Sequence, residues 1–273
     1  MCGVCDIENI AEVDEFTEAD YDRIIHEIIV GVITVYSLDY ATYSKTAKLL
    51  TQGVFKGYGK TITEVGVGST DYKMLFDLRQ NVHIFSAAKT YQQTRAIEAK
   101  LLELNQALTE GDRIKSFEEF RKDAKRILVD YNKNYLRTEY NSAILQSTSA
   151  SRWVGFEENK HLYPNLTYHT VGDQRVRYSH AILDGITRPV GDKFWNKVNP
   201  QNDWGCRCML LPSDSEVKVS EVDHINIDDH VNPLFQFNPG KERRVFSPKH
   251  PYFDVAPKDK DWAKQNFGLP LYL

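Results

Sequence analysis

The run Ser116-Phe-Glu-Glu-Phe-Arg-Lys-Asp-Ala-Lys-Arg-Ile-Leu-Val-Asp-Tyr-Asn-Lys-Asn-Tyr135 decides how the chain is read. It opens on a capping box, in which the Ser116 hydroxyl accepts from the third residue's N–H and Glu119 reaches back to the cap. Phe117, Phe120, Ala124, Ile127, Leu128, Tyr131 and Tyr135 follow at spacings of three and four, which lines one face of a helix. Helical propensity continues through Leu136-Arg-Thr-Glu-Tyr140 and Ala143-Ile-Leu145 to Trp153. The run is one long helix, or two with a bend near Asn132 and Asn134.

Toward the N-terminus the texture stays helical. Thr17-Glu-Ala-Asp20 is a helix start, and Tyr21, Ile24, Ile25, Ile28, Ile29 and Val32 follow at helical spacing. A second helix is predicted from Ser37 to Phe55, running into Gly53, Gly57 and Gly59. Residues 57–69, with four glycines, read as a loop or short hairpin. Helical patterning resumes from Tyr72 to Val82 and again from Ala87 to Leu108, and Glu110-Gly-Asp112 breaks it. Toward the C-terminus the texture changes near Lys160. Leu166 to Val171 alternates as a strand does, and Gly172-Asp173 is a turn signal. Arg177 to Leu183 makes two helical turns stopped by Gly185. Residues 186–205 are irregular, and Cys206 to Leu211 is a short apolar strand. Beyond Pro212 the chain is first polar, then aromatic and proline-rich, without a sustained period. The expected fold is α+β: a predominantly helical N-terminal half, a small α+β C-terminal unit and an extended C-terminal arm.

Composition bounds the function. The chain has 273 residues, 41% hydrophobic and 26% charged, which permits a sizeable core and excludes wholesale disorder, a collagen-like repeat and a disulfide scaffold. Its most apolar run, Ile24 to Tyr36, is interrupted by His26 and Glu27 and is too short to span a bilayer. No basic segment followed by an apolar core opens the sequence, so a soluble, cytoplasmically made protein is expected. Nine acidic side chains against Arg23 alone put residues 1–27 at −8 and the remainder at +4, for a net charge of −4. Bulk nucleic-acid binding is disfavoured by that balance. The acidic head is a solvated terminus or a docking segment for a basic surface.

Several motifs carry chemistry. Gly57-Tyr-Gly-Lys-Thr61 imitates a phosphate loop, but Val54 stands where the pattern needs glycine and a helix precedes it, so nucleotide binding is rejected. Cys2-Gly-Val-Cys5 has the spacing of two metal ligands but lacks the strand and helix of a redox motif. In a strand, Cys206 and Cys208 of Cys206-Arg-Cys208 would project from one face and Arg207 from the other. Such a pair is badly placed for a mutual disulfide and well suited to holding a soft metal. His180 and Asp184, one helical turn apart, are the obvious completion, with Asp184 as fourth ligand or as acceptor to the imidazole, and zinc as the metal. The competing reading is a hydrogen-bonded brace with the cysteines as small buried groups. A base–nucleophile pair is the third, although no oxyanion site accompanies it. Arg137 and Glu139, like Arg152 beside Trp153, read as an amphipathic helix with a partly buried ion pair. In the arm, Lys241, Arg243, Arg244 and Lys249 interleave with Phe235, Phe237, Phe246, Tyr252 and Phe253. That pattern serves single-stranded nucleic acid or a groove on a partner protein, and the excess of apolar residues favours the latter.

Taken together, Arg177-x-x-His180, Leu183-Asp184-Gly185, Pro189, Phe194-Trp195, Pro200 and Trp204-Gly-Cys-Arg-Cys208 resemble the phage Mu F-like head morphogenesis family. Tyr131-Asn132, Tyr135 to Asn141 and Trp153 resemble its helical lead-in, and Phe85 to Tyr91 its upstream region less specifically. Asn238-Pro-Gly-Lys241 and His250-Pro-Tyr252 are similar to tails of Mu-like prophage members. The sequence departs at Asn199-Pro200, where a double proline is expected. The resemblance covers about residues 85–212 and finds no motif in residues 1–60. With the reading of the residues it gives an expected organisation of 1–110 as acidic head and helical region, 111–212 as the head morphogenesis domain and 213–273 as the arm. It implies a minor head protein, without established catalysis, that associates with portal and inner shell of a virion head after assembly in the host cytoplasm. Portal and capsid proteins are the implied partners, with packaged DNA as a further contact and no small-molecule substrate. Carried over as motif residues are Arg177, His180, Asp184, Gly185, Cys206, Arg207 and Cys208; Trp195, Trp204, Arg137 and Glu139 join them as structural positions. The rival readings are a metal-dependent hydrolase or nuclease built on the same cluster, and a DNA-contacting ejected protein.

Overall fold

A computed structural model describes residues 16–110 and 116–267. The acidic residues before Phe16, with Cys2 and Cys5, and the break at Gly111-Asp112 lie outside the described residues. Along the chain run α1 (Glu18–Ile29), α2 (Tyr40–Tyr58), α3 (Thr70–Glu110), α4 (Phe117–Val129), a π-helical turn (Asp130–Tyr135) and α5 (Leu136–Asn159). After them come β1 (Asn165–His169), α6 (Tyr178–Ala181), β2 (Thr187–Pro189), β3 (Met209–Ser213), α7 (Pro239–Glu242) and α8 (Lys260–Phe267), joined by single 3₁₀ turns. The fold is α+β, with helices dominating the first half and a small sheet in the second. Packing divides the described residues into two compact units, those within 1–49 and 89–137 and those within 50–88 and 138–273.

The first unit is helical. Its core joins Tyr21, Ile24, Ile25 and Ile28 of α1, Ile33, Ile97 of α3, and Phe120, Ala124 and Leu128 of α4. Both sequence-predicted starts are capping boxes, Thr17 with Asp20 and Ser116 with Glu119. Each satisfies backbone N–H groups that the first helical turn leaves without partners. Arg23 reaches Glu27 at 2.7 Å and Asp39 at 3.0 Å, and Arg121 meets Asp22 at 2.7 Å. Phe117 and Tyr135 depart from the expected apolar face, being 57% and 47% exposed. Phe117 is the first residue of α4, ahead of the packed turns. Tyr135 closes the π-helical turn, whose wider hydrogen-bond ring shifts the phase of the helix beyond it. Asn132 is turned inward instead, while Tyr131 and Tyr135 pack against each other at 5.7 Å.

α3 is continuous where the periodicity predicts two segments. The interruption in the pattern, residues 83–86, contains one buried polar residue. It is Ser86, and its hydroxyl donates to the Val82 carbonyl at 2.7 Å, an internal satisfaction that hides the helix from a hydrophobicity count.

The second unit holds a three-stranded antiparallel sheet in the order β2-β1-β3. Asn165 stands opposite Pro189 and Ser213, and Thr167 opposite Thr187 and Leu211. Leu166, Tyr168, Leu183, Ile186, Val190, Phe194, Trp195 and Leu210 pack with Trp153 of α5 in one core. Gly57 lies against the α5 backbone: a Cβ there would stand 2.0 Å from the Ile144 carbonyl oxygen. Of the two glycines that imitate a phosphate loop, Gly57 therefore serves close helix packing, while Gly59 ends α2 at φ +81° with nothing within 4 Å of its Cβ position. No hairpin forms in 57–69; α2 runs on to Tyr58 and turns come after it.

Among its described residues beyond Ser213, the last of β3, the C-terminal arm contains no strand and, until α8, only single helical turns. Asn232, Asn238 and His250 cap three of these turns, each followed by proline. Its aromatics face inward. Phe235, Phe237, Phe246 and Tyr252 are buried, and Phe246 stacks on Phe85 at 3.7 Å. Asn81 Oδ1 accepts from the backbone N–H groups of Val245 and Phe246 at 2.9 and 2.8 Å. The apolar content that suggests a groove on another protein is used within the chain's own second unit.

Candidate functional site

The motif residues gather at the open end of the small sheet. β1 ends at His169, and its ladder is extended by loop residues: Gly185 N–H donates to the Tyr168 carbonyl and Tyr168 N–H to that of Ile186, both at 2.8 Å. Gly185 permits this by adopting φ +78°, which a side chain would resist. The preceding helix is shorter than predicted: α6 spans Tyr178–Ala181 and is followed by turns. His180 lies within it and is buried. Asp184 sits beyond it, and its Oδ1 accepts from Thr170 N–H at 2.7 Å. Asp184 thus pins the end of β1 to the Gly185 turn.

Cys206 and Cys208 are not in a strand, because β3 begins at Met209. Gly205 has φ +67° and Cys206 N–H donates to the Asp203 carbonyl at 3.0 Å, so this stretch is a turn entering the strand. The two sulfurs still converge. One donor atom each from His180, Cys206 and Cys208 lie within 4.8 Å of one another, with Cys208 Sγ 3.9 Å from His180 Nδ1. Both thiols are free, Cys206 buried and Cys208 half-buried. Arg207 projects elsewhere and forks onto both oxygens of Asp173 at 2.7 Å each.

The surroundings hold this arrangement from several sides. Arg177 donates to the Trp204 carbonyl at 2.8 Å and pairs with Asp203 at 3.2 Å. His230 Nδ1 lies 3.0 Å from the Ser179 carbonyl, and Asn232 donates to Asp203 at 3.0 Å. The Trp204 ring meets Phe235 edge-on at 4.9 Å. Trp195 is fully buried and its Nε1 donates to the Pro189 carbonyl at 3.0 Å. Arg137 is exposed, whereas Glu139 is buried and accepts from the Tyr252 hydroxyl at 2.9 Å. The helix therefore places these two residues in different environments.

Electrostatically the two thiols are unlike. The Cys208 thiol donating to it, with help from His180 and the Asn202 backbone, holds Cys206 below the ordinary thiol range despite burial. Cys208 is pushed up by Cys206 and by burial. Tyr168 is also pushed up, by burial and then by the two cysteines, and receives a hydrogen bond from Asn202 at 3.0 Å. Arg207 leads the interactions that draw the Asp173 carboxyl below its ordinary value.

Tyr168, Asp173, Asn202, Asp203 and His230 all support the cluster, and the sequence alone marks none of them for it. Their partners are distant along the chain, so spacing carries no signal for them. Only Asp203, next to Trp204, is adjacent to a motif.

Residues 98–211 match the family described as Phage Mu protein F like protein, and the chain carries a Mu F-like region. Over 75 residues, 28% of the chain, it is 37% identical to the Mu-like prophage FluMu F protein of Haemophilus influenzae. It is 35% identical over 75 residues to the putative capsid assembly protein F of Escherichia phage Mu. The matched stretch spans 18% and 17% of those two relatives. No solved structure matches this chain.

Proposed function

We propose that the chain acts in assembly of a phage or prophage head, as a minor head protein docking at the portal and inner shell. One observation carries this reading: the Mu F-like match over residues 98–211, whose relative in phage Mu is named a putative capsid assembly protein. Portal and capsid proteins of the same phage are its partners in this reading, with packaged DNA a further contact. Its place is the host cytoplasm during assembly and then the virion head. No helix among the described residues is long and apolar enough to cross a membrane, which is compatible with that route.

The experiment is assembly with and without the chain. Co-expressed portal and capsid proteins should co-purify with it from assembling heads, and deletion of its gene should reduce the yield of DNA-filled heads. Normal heads from the deletion, with no association to portal or capsid, would sink the proposal. A nuclease would instead lose DNA cleavage on His180→Ala while head yield stayed normal.

A further inference from the structure

The convergence of His180, Cys206 and Cys208 is more than a brace needs, and we infer that these three side chains hold one zinc ion. The inference is independent of the head-assembly reading. Three donors of the types zinc favours come from two segments well separated in the chain and meet within 4.8 Å. Zinc bonds of about 2.3 Å to sulfur and about 2.0 Å to imidazole nitrogen place tetrahedral ligand atoms roughly 3.4–3.8 Å apart. Cys208 Sγ and His180 Nδ1 already stand at 3.9 Å, so small side-chain rotations bring the set to coordination distance.

Charge and burial agree. His180 and Cys206 are each 3% exposed, and Cys208 is half-buried, which leaves one side from which an ion can arrive. Two thiolates and a neutral imidazole cancel the charge of Zn²⁺, so the loaded site buries no net charge, and any proton still on the thiols passes to solvent on binding. The neighbourhood offers a further oxygen. Asn202 Oδ1 is buried without a hydrogen-bond partner, while its Nδ2 donates to the Tyr168 hydroxyl. A fourth ligand, a water or a nearby buried oxygen, would complete four-coordination. Two thiolates with imidazole select a borderline-soft ion such as zinc over magnesium or calcium.

The ion would clamp α6 to the turn leading into β3. Arg177 ties the start of α6 to the Trp204 carbonyl, His230 meets the Ser179 carbonyl of α6, and Arg207 of the turn forks onto Asp173, all from outside the cluster. With that support the donors are pre-positioned, a condition under which metal sites bind tightly.

The test is elemental analysis of the full-length chain with two paired variants. About one zinc per chain is expected, retained in Cys2→Ser/Cys5→Ser and lost in Cys206→Ser/Cys208→Ser. Should the second variant fail to fold, cobalt titration of demetallated wild-type protein supplies the readout. Thiolate-to-cobalt charge-transfer bands of tetrahedral intensity support the site. Chelation should also lower the melting temperature by more than about 5 °C. Folded, metal-free protein with no charge-transfer band and unchanged melting under chelator would overturn it. So would zinc that follows Cys2 and Cys5, or stoichiometric iron or copper in its place.

Discussion

Two helical glycines show how a single hydrogen atom can have opposite value at different positions. Gly57 sits where a methyl group would meet the Ile144 backbone carbonyl oxygen at 2.0 Å, and a backbone atom cannot swing aside as a side chain does. Gly155, within α5, has nothing within 4 Å of the same position. Gly57→Ala should therefore destabilise by about 1–3 kcal/mol through overpacking. Gly155→Ala should stabilise by about 0.5–1 kcal/mol, because alanine loses less backbone entropy in a helix. Thermal melts of the two variants check this, and equal shifts of the same sign would contradict the packing described. At the same scale Asp184 acts on the Thr170 N–H rather than on the imidazole, so its role is to shape the turn beside His180.

Among the elements, α4 depends visibly on its start. Ser116 Oγ accepts from Glu119 N–H at 3.2 Å and Glu119 Oε2 accepts from Ser116 N–H at 2.7 Å. Ser116→Ala should cost about 1 kcal/mol, read as a lower urea midpoint with unchanged slope, whereas Ser116→Asp should be nearly neutral. An unchanged midpoint for the alanine variant would remove the cap from the account of α4. The π-helical turn after α4 is the other decisive element. It turns Asn132 inward and Tyr135 outward, breaking the stripe that begins at Phe120.

For the whole molecule, the perturbed carboxylates set the direction of pH dependence. Hydrogen bonds from Lys60 and then Tyr58, at 2.6 and 2.7 Å, draw Asp71 below its ordinary value against the effect of burial. Burial pushes Asp20 up, but bonds from Thr17 and Lys45 outweigh it and leave it low as well. A carboxyl whose folded pKa lies below its unfolded one adds stability above the unfolded value, and that stability disappears as pH falls through the folded value. His83 acts in the same sense: burial and then Arg79 lower it, so protonation favours the unfolded chain below about pH 6.5. Glu242, raised by burial, opposes them. The balance predicts a melting temperature that declines as pH is lowered from 7 toward about 3. Asp71→Asn should flatten that decline, and a melting temperature that rose on acidification would refute the assignment.

Much of the fold is legible in the sequence because its causes are local. The capping boxes at Thr17 and Ser116 and the buried apolar faces of α1 and α4 each depend on residues within a few positions and appear in the structure, whereas the helix expected to run on to a Gly185 stop already ends at Ala181. The α+β class is set by the change of texture near Lys160, and the motif spacing from Arg177 to Cys208 suffices to suggest a Mu F-like resemblance. Tertiary structure decided the rest. It made α3 one helix by burying Ser86, placed Gly57 against a distant carbonyl, and turned the arm's aromatics into its own core. It also brought two cysteines from a turn, not a strand, to a histidine far along the chain. Contacts of that kind depend on which distant segments meet, and local spacing carries no record of them.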